Sequence, residues 1–429
     1  MRITNLENVE SVEEARVANS KNKHQLVILV MERSGPDSSN LWDGNDEKEI
    51  LEALEPPHVN LRHLTVKNYG GFKFPSWLGD PSFSKLVEIE LIGCRKCKLL
   101  TSFGQLRSLK KLVIVEMQQL KHVSREFVGN RAFPSLQILQ LKHLLNLEWQ
   151  FEAKEVDFHE CENLSGQDSE VGYCNEVIML KSLSNLTSLS SLNISGFRRV
   201  KLLPNGFLQS LINIKDMEIE NCNELLSLPE GPSTTLSGLH IINCPNMTSL
   251  GKGIQNMTCL KSKTTLSSVL PHLSTLEHLA IKEINGLQYL PHDLLLNLTT
   301  LKILDIDHCT KLASLPDYLP SSLAELRIIH CAELASLPDE LPSSLEEFSV
   351  YYCDKIQSLP KGLCNLTSLE YLWIECCPLV ESLPEDRLPI GLRSLLIVGC
   401  PTLSQWCKQQ GSKEWSMIKC LPNVHIRLE

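Results

Sequence analysis

Between Leu301 and Pro360 the chain writes one phrase three times, and no other feature constrains its fold as strongly. The copies read LKILDIDHCTKLASLP from Leu301, SLAELRIIHCAELASLP from Ser322 and SLEEFSVYYCDKIQSLP from Ser344. Aligned on Leu301, Leu323 and Leu345 they lie 22 residues apart, in the frame L-x-x-L-x-I-x-x-C-x-x-L-x-S-L-P. A unit this short has one apolar face and no interior in which to bury it. Neighbouring units must therefore stack and cover one another. Stacking produces a long exposed surface without an enclosed chamber, which suits recognition better than catalysis.

This frame is that of a leucine-rich repeat. Leading apolar residues recur at Leu61, Leu86, Leu109, Leu136, Leu189, Ile214, Leu236, Leu276, Leu301, Leu323, Leu345, Leu369 and Leu392. The cysteine position holds Cys94, Cys222, Cys244, Cys309, Cys331, Cys353, Cys377 and Cys400, with Tyr69, Met117, Leu144, Phe197 and Ile284 in the other copies. Most steps are 22 to 27 residues, the period of this class. The expected fold class is an α/β repeat: a curved leucine-rich-repeat solenoid with a parallel concave sheet and an irregular or short-helical convex side.

Two steps are longer, 53 residues from Leu136 to Leu189 and 40 from Leu236 to Leu276. The first contains residues 151–177, with eight acidic side chains and one lysine, and reads as a degenerate repeat plus a solvated acidic loop. The second places KSKTTLSSVL (261–270) where the next L-x-I core is due, so an irregular coil is expected near 251–275. At the start, RITNLENV (2–9) resembles the second half of a repeat, residues 11–24 suggest a short helix, and HQLVILVMER (24–33) one more strand. A solenoid needs a polar cap over its terminal coil, and none precedes Met1, which points to a fragment or a frayed first coil. The expected organisation is partial repeats with an acidic loop over 1–60, the solenoid over 61–403, and a capping segment over 404–429.

Within each copy the L-x-I pair, such as Leu304 and Ile306, alternates at strand period and points inward. The LP pairs at Leu315-Pro316, Leu337-Pro338, Leu359-Pro360 and Leu383-Pro384 end each turn, where proline fixes φ. Eight of the sixteen cysteines share the one ladder column. A free cysteine packs like a small hydrophobe, and its S–H can serve a neighbouring carbonyl. No secretory signal opens the sequence, so free thiols and a cytoplasmic location are expected. The C-x-x-C of Cys94 and Cys97 has no second pair to complete a zinc site, and His159 with Cys161 is no better placed. No metal and no cofactor is expected.

The formal charge is −10, with −6 in residues 1–60 and −7 in residues 151–177, leaving the rest near +3. No basic stripe is present to hold a phosphate backbone, so nucleic acid is not an expected partner. No apolar run reaches the length of a membrane span. The phosphate-binding loop, the kinase signatures, the G-x-S-x-G elbow and the H-E-x-x-H helix are all absent. Asp305, Asp307 and His308 would converge on the concave face, but polar alternation is what any half-wetted sheet shows. No catalytic residue is assigned.

The exposed strand positions of the four best copies fall in columns: Ile303, Glu325, Glu347, Tyr371; then Asp305, Arg327, Ser349, Trp373; then Asp307, Ile329, Tyr351, Glu375; and a fourth of His308, His330, Tyr352, Cys376. Tyr351, Tyr352, Tyr371 and Trp373 thereby meet on adjacent coils, one coil from Arg327. The chain has only seven tyrosines and six tryptophans, so this is a concentration. Tyrosine, tryptophan and arginine dominate interface hot spots. The candidate protein-binding set is Asp305, Asp307, His308, Arg327, His330, Tyr351, Tyr352, Tyr371, Trp373 and Glu375.

Four passages resemble one known family. LENVESVEEARVANSKNKHQLVILVMERS (6–34) is similar to an entry into repeats, LEALEPPHVNLRHLTVKNYGGFKFPSWLGDPSFSKLVEIELIGCRKC (51–97) to the most recognisable repeat segment, and the CxxLxSLP ladder from Cys222 to Pro384 to the irregular cytoplasmic repeat. CPTLSQWCKQQGSKEWSMIKCLPNVHI (400–426) resembles the closing segment, with Cys420 where a histidine is usual. The family is that of plant intracellular disease-resistance receptors of the coiled-coil nucleotide-binding class, in their C-terminal repeat region. The resemblance implies a protein partner, a pathogen effector or a guarded host protein, and restraint of an upstream nucleotide-binding module that these 429 residues do not contain. A free-standing repeat scaffold or decoy, a ubiquitin-ligase adaptor fragment and a secreted inhibitor remain as alternatives.

Overall fold

The computed structural model describes residues 1–35, 44–120, 133–144, 186–197, 211–226, 235–247, 275–290, 298–384 and 387–428, with single positions at Phe127, Leu203, Leu208, Leu228 and Leu295. The chain divides into two compact units, Met1–Ile214 and Lys215–Glu429. Each of the thirteen leading apolar residues is followed, two positions on, by a five-residue strand. In the first unit the strands are β1 (Arg2–Ile3), β2 (Ile28–Glu32), β3 (His63–Lys67), β4 (Glu88–Ile92), β5 (Lys111–Val115), β6 (Ile138–Lys142) and β7 (Ser191–Ser195). The second holds β8 (Asp216–Glu220), β9 (Gly238–Ile242), β10 (His278–Lys282), β11 (Ile303–Asp307), β12 (Glu325–Ile329), β13 (Glu347–Tyr351), β14 (Tyr371–Glu375), β15 (Ser394–Val398) and β16 (Asn423–Arg427). Within each unit every strand pairs in parallel with the next in sequence. This is a leucine-rich-repeat solenoid.

The register explains the sequence frame. Leu304 and Ile306 of β11 pair with Leu326 and Ile328 of β12, which pair with Phe348 and Val350 of β13. None of these six side chains is more than 1% exposed. Burying a side chain of this kind contributes about 1.5–3 kcal/mol, so the inward columns supply most of the cohesion between coils. The intervening residues point to the opposite face of the sheet, and their three columns in β11–β14 have the memberships that the frame predicts.

The fourth expected column is not part of the strands. His308, His330, Tyr352 and Cys376 lie one residue past the strand ends, with φ of 53°, 52°, 53° and 50°. This left-handed position recurs along the fold at Asn68, Glu116, His143, Asn221, Asn243 and Glu283, and glycine fills it at Gly93, Gly196 and Gly399. Most of these residues still donate their N–H to the end of the following strand, as His308 does to Ile329 (2.8 Å) and Tyr352 to Glu375 (2.8 Å). The chain then turns sharply inward and delivers the next side chain, usually cysteine, to the core.

The eight ladder cysteines are all buried. Cys309 Sγ lies 3.6 Å from the Ile281 carbonyl of the preceding coil, and Cys377 Sγ lies 3.8 Å from that of Val350. The thiol thus meets a strand carbonyl of its neighbour, as the repeat spacing suggests.

Both long steps join strands that pair with each other. β6 pairs directly with β7, and β9 with β10. The acidic stretch 151–177 and the segment 251–274 lie outside the described residues.

At the ends, α1 (Val12–Val17) and β2 match the sequence expectation, and α1 is capped by Ser11 Oγ, which accepts from Glu14 N at 3.1 Å. Part of the expected acidic loop is instead a helix, α2 (Gly44–Ala53). It is held by Trp77 Nε1 donating to the Leu51 carbonyl at 3.0 Å and by Arg33 pairing with Glu47 at 2.9 Å. The closing segment forms α3 (Pro401–Lys408) and α4 (Lys413–Ile418), then returns to the sheet as β16, a strand that the sequence expectation lacked.

Candidate functional site

The exposed sheet face of the second unit gathers the candidate residues. Because β11–β14 are in register, positions at equal depth in each strand form rows running from coil to coil, roughly 4.8 Å apart. Asp305, Arg327, Ser349 and Trp373 occupy one row and Asp307, Ile329, Tyr351 and Glu375 the next. Tyr371 lies two residues before Trp373 on the same face, and their rings meet edge to face at 6.2 Å and 64°. Tyr371 is exposed, Trp373 and Tyr351 are half-buried, and Ser349 is fully buried between its taller neighbours.

Arg327 is held from two sides. Its Nη2 pairs with Glu325 Oε2 at 2.9 Å on its own strand, and its Nε pairs with Glu347 Oε1 at 3.1 Å on the next. Burial pulls the guanidinium pKa down, but the Glu347 and Glu325 carboxylates outweigh it and leave the group above its ordinary value. Glu325, Glu347 and Lys282 were not among the sequence candidates. Their signal was in the frame, since residues two apart on one strand, or level on adjacent strands, share a face.

Asp305, Asp307 and His308 do not form one catalytic group. Asp305 pairs with Lys282 at 2.7 Å, whereas Asp307 Oδ1 lies 2.6 Å from His308 Nδ1. Each carboxylate has its own cation or imidazole.

The left-handed residues form a separate row along the edge of this face. His308 and His330 stack at 4.2 Å between centroids, and His330 and Tyr352 at 4.4 Å. The Tyr352 hydroxyl donates to Glu375 Oε1 at 3.0 Å, a bond that raises the phenol pKa. Burial raises that of Tyr351. Tyr351 and Tyr352 are therefore neutral donors at ordinary pH, suited to hydrogen bonding.

The other chemistry-bearing positions behave as packing groups. Cys94 and Cys97 are buried, and burial pushes the Cys97 thiol up to about 12 and raises that of Cys94 as well. Thiols so held resist the deprotonation that metal ligation needs. Among the described residues, no group of three or more His, Cys, Asp or Glu side chains is placed to hold a metal ion. Among them too, no helix is long and apolar enough to cross a membrane.

Comparisons with known proteins agree with this architecture. The profile of the R13L1/DRL21 leucine-rich repeats matches residues 1–117. RGA1 of Solanum bulbocastanum, a protein named for disease resistance, is 30% identical over 245 residues, 53% of this chain and 24% of that one. RPP13-like protein 1 of Arabidopsis thaliana, also named for disease resistance, is 29% identical over 278 residues, 58% of this chain and 25% of that one. The chain spans about a quarter of the length of these relatives. Among solved structures, the Toll–Spatzle complex of Drosophila aligns over 95% of this chain and 44% of that chain, at 18% identity and a TM-score of 0.50. That likeness is one of fold.

Proposed function

We propose that this leucine-rich-repeat chain, similar in its repeats to plant disease-resistance proteins, is the recognition segment of an immune receptor. It acts in the cytoplasm, without catalysis, by binding a pathogen effector or a guarded host protein. In the intact receptor it also restrains an upstream nucleotide-binding module. The observation that carries the reading is the in-register face of β11–β14, where Arg327, Tyr351, Tyr371 and Trp373 present hot-spot side chains on adjacent coils. The similarity to RGA1 and RPP13-like protein 1 over more than half of this chain supports the receptor context.

An exchange of segments tests it. This chain is to replace the matching repeats of RGA1, and the chimera is to be assayed in leaf tissue against a panel of effectors. The response should follow the transplanted repeats and disappear when Trp373→Ala is combined with Tyr351→Ala. A chimera that keeps the parent's response spectrum refutes the reading.

A further inference from the structure

The exposed sheet face of the second unit is strongly acidic, although the repeats sum to near neutrality. Residues 215–429 carry twenty-five acidic and sixteen basic side chains. β8 alone presents Asp216, Glu218 and Glu220 on this face. Asp305, Asp307, Glu325, Glu347 and Glu375 follow on β11–β14. The permanent cations in the same three rows, from β8 to β16, are Lys282, Arg327 and Arg427. Arg327 is shared by two carboxylates and Lys282 is taken by Asp305. The negative balance is thus retained where the aromatic side chains lie.

A second observation lies at the centre of the face. Asp305 is only 9% exposed, and its Oδ1 accepts no hydrogen bond. A buried carboxylate oxygen without a donor is unfavourable, so the Asp305 charge is compensated by Lys282 alone and adds to the negative potential of the face. Trp373, Tyr371 and Tyr351 add ring faces, which attract the same cations through their quadrupoles. Carboxylates and aromatic faces on adjoining coils select for arginine and lysine, and they repel an acidic ligand.

We propose that the partner of this face is a basic polypeptide segment, seated across β11–β14 with an arginine or lysine against Trp373 and Glu347. The inference rests on the recognition reading above and names the chemistry of what is recognised. Seating such a segment satisfies the acidic rows, and it makes association depend on salt.

The test uses the full chain and two fluorescein-labelled nonapeptides, one alternating arginine and glycine and the other alternating glutamate and glycine, read by anisotropy. The arginine peptide should bind and the glutamate peptide should not. Trp373→Ala and Tyr371→Ala should each weaken binding by about threefold to tenfold, the range of one cation–π contact, and Glu347→Gln should weaken it too by removing a negative charge from the face. Tyr371 is exposed, so its replacement leaves the core intact. Glu333→Gln and Asp339→Asn are the controls, because these exposed carboxylates lie off the sheet face, paired with Lys355 and Lys361. Unchanged binding in the controls supports the proposal. Equal weakening in the controls, binding of the glutamate peptide, or no binding of the arginine peptide overturns it. If the peptide binds as expected while the chimera keeps its parent's spectrum, the receptor reading fails alone. If the chimera follows the repeats and the arginine peptide does not bind, the basic-partner inference fails alone.

Discussion

His330 and Tyr352 stack with ring planes 1° apart and centroids 4.4 Å apart, because both leave the backbone from the same left-handed turn in consecutive coils. The shared turn brings neighbouring rings face to face, and the His308 and His330 planes lie 26° apart by comparison. The same turn carries a steric cost for most side chains, about 1–2 kcal/mol, which asparagine and glycine largely avoid.

That cost is measurable at Glu283, where φ is 56°. Glu283→Asn should stabilise the chain by about 0.5–1 kcal/mol, and Glu283→Val should destabilise it by about 1 kcal/mol or more, since a β-branched residue fits the turn worst. Urea denaturation followed by circular dichroism compares the three. Equal midpoints for all of them would show that the turn imposes no such constraint.

Three buried thiols, two in the ladder and one in α3, should give an alkaline limit to stability. Burial raises the thiols of Cys309, Cys377 and Cys407 to about 12 from a reference of 9.0. A raised folded-state pKa means that the folded chain keeps protons the unfolded chain releases. Stability is therefore full below about pH 9 and falls as pH rises from there towards about 12. Thermal midpoints across this range should decline in the native chain and decline less in Cys309→Ala. Below pH 8, a thiol reagent should modify exposed Cys420 well before Cys309. Rapid native-state labelling of Cys309 would contradict the burial.

Arg33 and Glu47 form a pair with only 5% and 15% of their side chains exposed. Burial raises the Glu47 pKa against the pull of Arg33, and the Gly70 N–H donates to Glu47 Oε2 at 2.7 Å. Arg33→Ala should cost about 3 kcal/mol, because it strands a mostly buried carboxylate. Glu47→Gln should be milder, since the amide oxygen can still accept from Gly70. A Cβ on residue 70 would stand 2.5 Å from Glu47 and 2.6 Å from Arg33, so Gly70→Ala should also destabilise the first unit. Chemical denaturation ranks the three variants, and a harmless Arg33→Ala would deny the pair a structural role.

β6 pairs directly with β7 across the 53-residue step. Excising residues 151–177 shortens the step between Leu136 and Leu189 from 53 residues to 26, within the ordinary repeat range. The shortened chain should keep the far-ultraviolet spectrum and thermal midpoint of its parent. A loss of several degrees would show that the stretch contributes to packing.

What was legible in the sequence follows from what repeats. The inward leucines recur with the strand itself, so all thirteen strands from β3 to β15, and the rows across them, could be placed from Leu301, Leu323 and their counterparts. Helix α2 lies in no repeat, and its hold on the fold comes from Trp77 and Arg33, which are distant in sequence, so the reading of 1–60 as partial repeats with an acidic loop carried no helix at Gly44–Ala53. β16 was missed because NVHIR (423–427) lacks the leucine frame. The aromatic cluster was visible as Tyr351, Tyr371 and Trp373, but the left-handed turn at His308 and His330 was not. No residue type marks that turn consistently, since asparagine, glutamate, histidine, tyrosine and cysteine all occupy it.

The equal 22-residue spacing of Leu301, Leu323 and Leu345 has a genetic consequence. Loss or duplication of one 22-residue stretch here, by unequal crossing-over within the gene, rejoins a strand to a neighbour already in phase with it. The inward leucines still meet leucines, while the outward face loses or gains one triplet of side chains. Lineages carrying this gene can therefore alter the ligand-facing pattern in whole steps, without first repairing the core.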